Sequence, residues 1–217
     1  GKDSAWYAKQ AELWEQEVKR HPKSEDAWRN LFNAKYYLKF WYHGLQKKEE
    51  PAQSVLTRME KAIPESFTYN YCRYKVSMAS PSEYAERALK QIPENVDLGM
   101  VDGLLGYLWR RGADADNGEY GKIFNKLLKM QYEGNYYPEF ALRYSYNQLE
   151  GLPQNAIYIG NGDLDLFPKI MIQRAMGLHT DKTIVVQPFL FLENYRDSIC
   201  AQLGIAPFRP TAMETID

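Results

Sequence analysis

Asn155–Phe191 reads NAIYIGNGDLDLFPKIMIQRAMGLHTDKTIVVQPFLF, and the reading of this stretch decides the fold class. Ala156–Ile159 is short, apolar and rich in strand formers, with Pro153 as a breaker ahead of it. Gly160-Asn161-Gly162-Asp163 supplies a turn whose two glycines accept positive φ. Asp163 or Asp165 is the expected N-cap of the helix that follows. From Leu166 to Met176 the apolar residues Phe167, Ile170, Met171 and Ala175 fall at helical spacing, with Pro168 in the first turn. Gly177 is placed to end this helix. Thr183–Val186 is a second strand, apolar enough for burial on both faces. Glu193–Leu203 is a second amphipathic helix, stopped by Gly204. A connection of this length between the strands favours a parallel pair with a right-handed crossover. Two strands alone are marginal, so a third strand after Pro207 or a partner edge is expected.

Upstream of Leu152-Pro153 the periodicity is helical throughout. Tyr7, Ala11, Trp14 and Val18 form the stripe of a first helix over residues 2–20. Ser24 caps a second, with Ala27, Leu31, Ala34, Leu38 and Trp41 on one face. Pro51 opens a third, carrying Val55, Met59 and Ala62. Phe67–Met78 is read as a helix, although its tyrosines would also suit a strand. Further helices are predicted from Ser82 to Ile92, Val96 to Arg111, Tyr120 to Gln131 and Tyr137 to Leu149, with GADADNG (112–118) as a loop.

Bulk numbers narrow the function classes. The chain is 45% hydrophobic and 25% charged, which is globular composition. With 27 basic and 28 acidic residues it has no field for nucleic acid, and no polybasic cluster for a membrane surface. No run approaches the roughly 18 apolar residues that span a bilayer. Cys72 and Cys200 have neither metal-ligand nor redox spacing and read as two unpaired, buried thiols.

Helices ending at His21-Pro22, Ile63-Pro64 and Ile92-Pro93 recur at intervals of 42 and 29 residues, on either side of the ~34-residue tetratricopeptide period. EVKRHPKSEDAWRNLFNAKYYLK (17–39) resembles that family most. Pro22 stands at the terminal proline of a repeat and Trp28 and Leu31 match its W-x-x-L, although Phe32 replaces the usual glycine. Ala85, Ala88 and Pro93 suit a second repeat helix, and Leu105-Gly106 with Tyr107 a first one. The resemblance covers residues 4–131 and implies a helical array with a groove for a protein or peptide partner. A second resemblance covers about sixty residues of the C-terminal part. Pro153, Asn155-Ala156-Ile157, Asn161-Gly162-Asp163 with Asp165, Phe167-Pro168 and Ile184-Val185-Val186 are similar to a segment near the end of bacterial polytopic, protein-mannosyltransferase-like membrane proteins of unclear function. That resemblance, with Gly1 where an initiating Met would stand, implies an exported protein of the periplasm or cell envelope, associated with the membrane through a preceding segment.

Asn161, Gly162, Asp163 and Asp165 are the candidate ligand-binding residues, because they leave the C-terminal end of a parallel strand, where open α/β sheets collect ligands. Two carboxylates one residue apart suit a hard cation; a plain turn with a helix cap is the favoured explanation of the same residues. No metal or cofactor is assigned, and no catalytic residue. His21, His43 and His179 border predicted turns and read as solvated, and Asp114 and Asp116 as a solvated connection. The aromatics Tyr36, Tyr37, Phe40, Trp41 and Tyr42, with Tyr69, Tyr71 and Tyr74, have two uses: packing between helices, or lining a peptide groove. The resulting expectation is a mainly α protein. It has a tetratricopeptide-like array over 1–150 and a small βαβα unit over 151–217, packed on the last helices. Its expected role is that of a non-enzymatic protein-interaction module, with a sugar- or nucleotide-sugar-related enzyme or binding domain using Asn161–Asp165 as the alternative.

Overall fold

A computed structural model describes residues 2–41, 51–78, 82–113 and 118–208, with backbone alone at 39–41, 51 and 163. The protein is mainly α, with one small parallel sheet among the described residues. Among the described residues eight helices precede the first strand: α1 (Ser4–Arg20), α2 (Glu25–Trp41), α3 (Pro51–Ala62), α4 (Phe67–Ser77), α5 (Glu83–Lys90), α6 (Leu98–Trp109), α7 (Glu119–Glu133) and α8 (Glu139–Glu150). Then follow β1 (Ile157–Gly160), α9 (Asp163–Arg174), β2 (Thr183–Val186), a 3-10 turn (Gln187–Phe191) and α10 (Glu193–Leu203). The tyrosine-rich Phe67–Ser77 is helical, with Ser66 Oγ accepting from the Tyr69 amide at 3.1 Å. The residues after Phe208 and those at 114–117, which carry the expected third strand and the GADADNG aspartates, lie outside the described residues, as does His43.

The class change falls near Leu152, but the compact units divide earlier, between Asn95 and Val96. In the first unit, α2 packs against α1, α3 and α4, and α4 against α3 and α5. Leu31, Phe32, Leu56, Met59 and Tyr74 are fully enclosed there. Phe32, where the tetratricopeptide pattern has glycine, fills core volume and stacks on Tyr36 at 5.6 Å. Pro64-Glu65 is a tight turn, with Glu65 at φ 58. Its carbonyl accepts from Asn70 Nδ2 at 3.1 Å and Gln91 Nε2 at 2.7 Å, so one polar knot fastens the turn to α4 and the end of α5.

The second unit, residues 96–217, holds α6–α8 together with the β1–α10 segment. A two-stranded sheet buries too little surface to stand alone, and α6–α8 share its core: α7 and α8 pack on α9. Trp109 of α6 lies 4.3 Å from the Phe167 ring and 5.2 Å from Phe189. β1 and β2 are parallel, in the register Ile157↔Thr183 to Gly160↔Val186. β2 is buried at Ile184, Val185 and Val186, whereas Ile157 and Ile159 of β1 face solvent. Tyr195 of α10 accepts the Val186 amide at 2.9 Å and ties the last helix to the strand end.

Candidate functional site

β1 delivers the chain to Asn161, which is exposed, and to Gly162 at φ 130, a conformation open only to glycine. Gly162 is the N-cap of α9 and makes no side-chain cap bond. Neither aspartate therefore caps the helix: Asp163 is its first residue and Asp165 its third. The earlier start also moves Pro168 out of the first turn and into the helix interior, where it donates no backbone bond. The Asp163 side chain lies outside the described residues.

Asp165 turns along its own helix. Its Oδ1 is 2.6 Å from Lys169 Nζ, and the same ammonium donates to the Asp165 carbonyl at 3.0 Å. Tyr158, from the middle of β1, donates its hydroxyl to Oδ2 at 3.1 Å and lays its ring 4.7 Å from Nζ. Lys169 is wholly buried, while Asp165 keeps 37% of its side chain exposed. The ammonium thus has a carboxylate, a carbonyl and a π face, a full set for a buried cation. Burial, then the Asp165 hydrogen bond and charge, push the Tyr158 hydroxyl from its ordinary 10.0 up to about 12. Gly160 makes room for this cluster: a Cβ there would stand 2.5 Å from the Leu166 side chain and 2.8 Å from Asp165 Oδ2. Asp165 thus has Lys169 and Tyr158 as partners, whereas Asn161 is exposed. Among the described residues no group of three His, Cys, Asp or Glu side chains could hold a metal. Lys169 was missed in the sequence, although its i,i+4 spacing from Asp165 was visible.

A different surface has the features of a binding site. Between α1 and α2 of the first unit runs an open groove of about 650 Å³. Trp6, Tyr7, Trp14 and Tyr37 line it, with the amides of Gln10, Asn30 and Asn33 among them. Trp6 and Tyr37 are 43% and 39% exposed, large values for aromatic rings that make ring contacts. Tyr7 holds both neighbours, at 5.0 Å edge-on to Trp6 and 5.7 Å from Tyr37. The aromatic candidates divide accordingly: Tyr69, Tyr71 and Tyr74 are core, Tyr37 is groove, and the side chains of Phe40 and Trp41, with all of Tyr42, lie outside the described residues. Trp6 was not legible as a groove residue; it lies off the apolar stripe of α1, and that displacement was the available signal.

The histidines differ from each other. His21 is solvated beside Glu17 at 3.6 Å. His179 is not: its side chain is enclosed, its ring lies 4.7 Å from Tyr146, and Glu150 stands 3.5 Å from its Nε2 without hydrogen-bond geometry. Both cysteines are free and buried, and burial pushes the Cys72 thiol far up. No described helix is long and apolar enough to cross a membrane. No family model, no curated protein and no solved structure matches this chain.

Proposed function

We propose that this chain is a protein-interaction module and that the α1–α2 groove receives an extended polypeptide segment of a partner protein. The observation that carries this reading is the exposure of Trp6 and Tyr37 on an open groove that Gln10, Asn30 and Asn33 also line. Aromatic rings take apolar side chains, and amides pair with peptide groups, so the lining suits a polypeptide in both respects. A tetratricopeptide-like arrangement of the helices, and a place in the cell envelope through the mannosyltransferase-like resemblance of the C-terminal stretch, belong to the same proposal. The alternative, sugar-related chemistry at Asn161–Asp165, loses support because Asp165 is engaged by Lys169.

Selection of a random peptide library on the full chain tests the reading, with Trp6→Ala as the counter-target. Trp6 is exposed, so its truncation leaves folding nearly unchanged. Peptides that bind the natural chain and lose about tenfold or more on Trp6→Ala are expected, as for an aromatic anchor of a small interface. A selection that returns no peptide distinguishing the two proteins would reject the reading.

A further inference from the structure

The groove's own lining carries charge of one sign only, although the Asp3 carboxylate caps α1 beside it at the Trp6 amide. That lining contains Lys2 and no acidic residue. Lys75 of α4 adjoins it, donating to Asn33 Oδ1 at 3.1 Å and reaching the Tyr37 hydroxyl at 3.5 Å; both of those residues line the groove. The Lys75 ammonium also lies 5.0 Å from the ring centres of Tyr36 and Tyr37.

Four neutral groups thus hold one cation. Four other cations of the same unit have acids, Lys9 with Glu12, Arg29 with Asp26, Arg58 with Glu15 and Arg87 with Glu83, while Lys23 is held by the Ala62 carbonyl and Arg73 by Tyr84. Among the described residues Lys75 meets no carboxylate. Amide, hydroxyl and ring faces orient an ammonium without neutralising it. A half-buried cation in that state attracts an anion more strongly than a solvated surface lysine does. The short connection between α1 and α2 makes them an antiparallel pair, and Tyr7 faces Tyr37. Lys2, which precedes α1, and Lys75, beside Tyr37, therefore fall toward the same end of the groove.

We propose that the segment taken by the α1–α2 groove is acidic, with one of its carboxylates closing on the Lys75 ammonium that Asn33, Tyr36 and Tyr37 hold in place. This rests on the peptide-binding reading above and adds the chemistry of the ligand. Apolar side chains of the segment lie along Trp6, Tyr7 and Trp14, and the acid lies at the end marked by Tyr37.

The test uses the full chain and the peptides selected on it. Each peptide is resynthesised with its Asp and Glu replaced by Asn and Gln. Both forms are titrated against the natural chain, Lys75→Gln and Lys75→Arg, at low and high salt, by polarisation of a labelled peptide. The acid-to-amide change and Lys75→Gln should each weaken binding about tenfold, the scale of one charge-assisted hydrogen bond. Combined they should weaken it little further, while Lys75→Arg should keep most of the affinity and high salt should reduce it. Peptides that bind equally well as amides, and equally well to Lys75→Gln, would overturn the acidic ligand and leave the peptide groove standing. A selection without Trp6-dependent peptides would remove both. If Lys75→Gln fails to fold, the amide peptides and Lys75→Arg still decide the matter.

Discussion

Lys169 Nζ, with no solvent exposure, lies 2.6 Å from Asp165 Oδ1, one helical turn upstream in α9. A pair this unequal in burial has unequal consequences for its two members. Asp165→Asn leaves a buried ammonium without its counter-charge. It should cost of order 3 kcal/mol, toward the low end for breaking a buried pair because Asp165 is partly solvated. Asp165→Asn with Lys169→Met removes the charge as well and should recover most of that loss. Urea midpoints of the three proteins check both expectations. A single-variant loss near zero would show that Lys169 finds water in solution.

The same pair decides the response to metals. A cation at Asn161–Asp165 would have to displace the Lys169 ammonium from Asp165. Magnesium, manganese or calcium should therefore leave the melting temperature unchanged, where specific binding would raise it by mass action. A rise that disappears in Asp163→Asn would restore the cation reading.

Tyr158 sets an alkaline limit. Its hydroxyl is raised from 10.0 to about 12 in the folded protein, first by burial and then by Asp165. The protonated form is thus favoured by folding. Its contribution is complete below the unfolded value of 10 and is lost as pH rises through the window from 10 to about 12. Tyr158→Phe cannot ionise, so its melting temperature should fall less steeply across that window than the natural chain's. Parallel slopes for the two proteins would contradict the assignment.

The division at Asn95/Val96 makes a prediction about fragments. A chain of residues 96–217 keeps Trp109 against Phe167 and Phe189 and should unfold cooperatively. A chain of residues 154–217 loses that wall, and a core of this size seldom holds below about 70 residues without disulfide or metal. Thermal denaturation by circular dichroism compares the two; a sigmoidal transition in the shorter one would contradict the expectation.

How much of this was legible in the sequence depends on whether a feature is local. Thr183–Val186 and Glu193–Leu203 were readable to the residue, because an apolar run and an amphipathic stripe with a terminal glycine are local signals. The start of α9 was misread because two aspartates advertise a cap more loudly than a glycine, and only φ 130 at Gly162 reveals which residue caps. The surroundings of the candidate turn were hidden for a non-local reason: the Tyr158 hydroxyl on Asp165 comes from the neighbouring strand and is seen only once β1 and α9 are placed together. The groove split along the same line. Tyr37 was a candidate from its helix alone, whereas Trp6 needed α1 laid against α2. Nothing in composition changes at Asn95, since the division there reflects which helices share a core.

Each unit encloses one thiol, Cys72 in the first and Cys200 in the second. The chain has no others. A thiol-reactive dye added to the native protein will therefore find nothing to modify until a unit opens. Mass spectrometry of the labelled peptides then reads the opening of each unit separately, Cys72 for residues 1–95 and Cys200 for 96–217. The sequence thereby carries its own pair of unfolding clocks, with no engineered label.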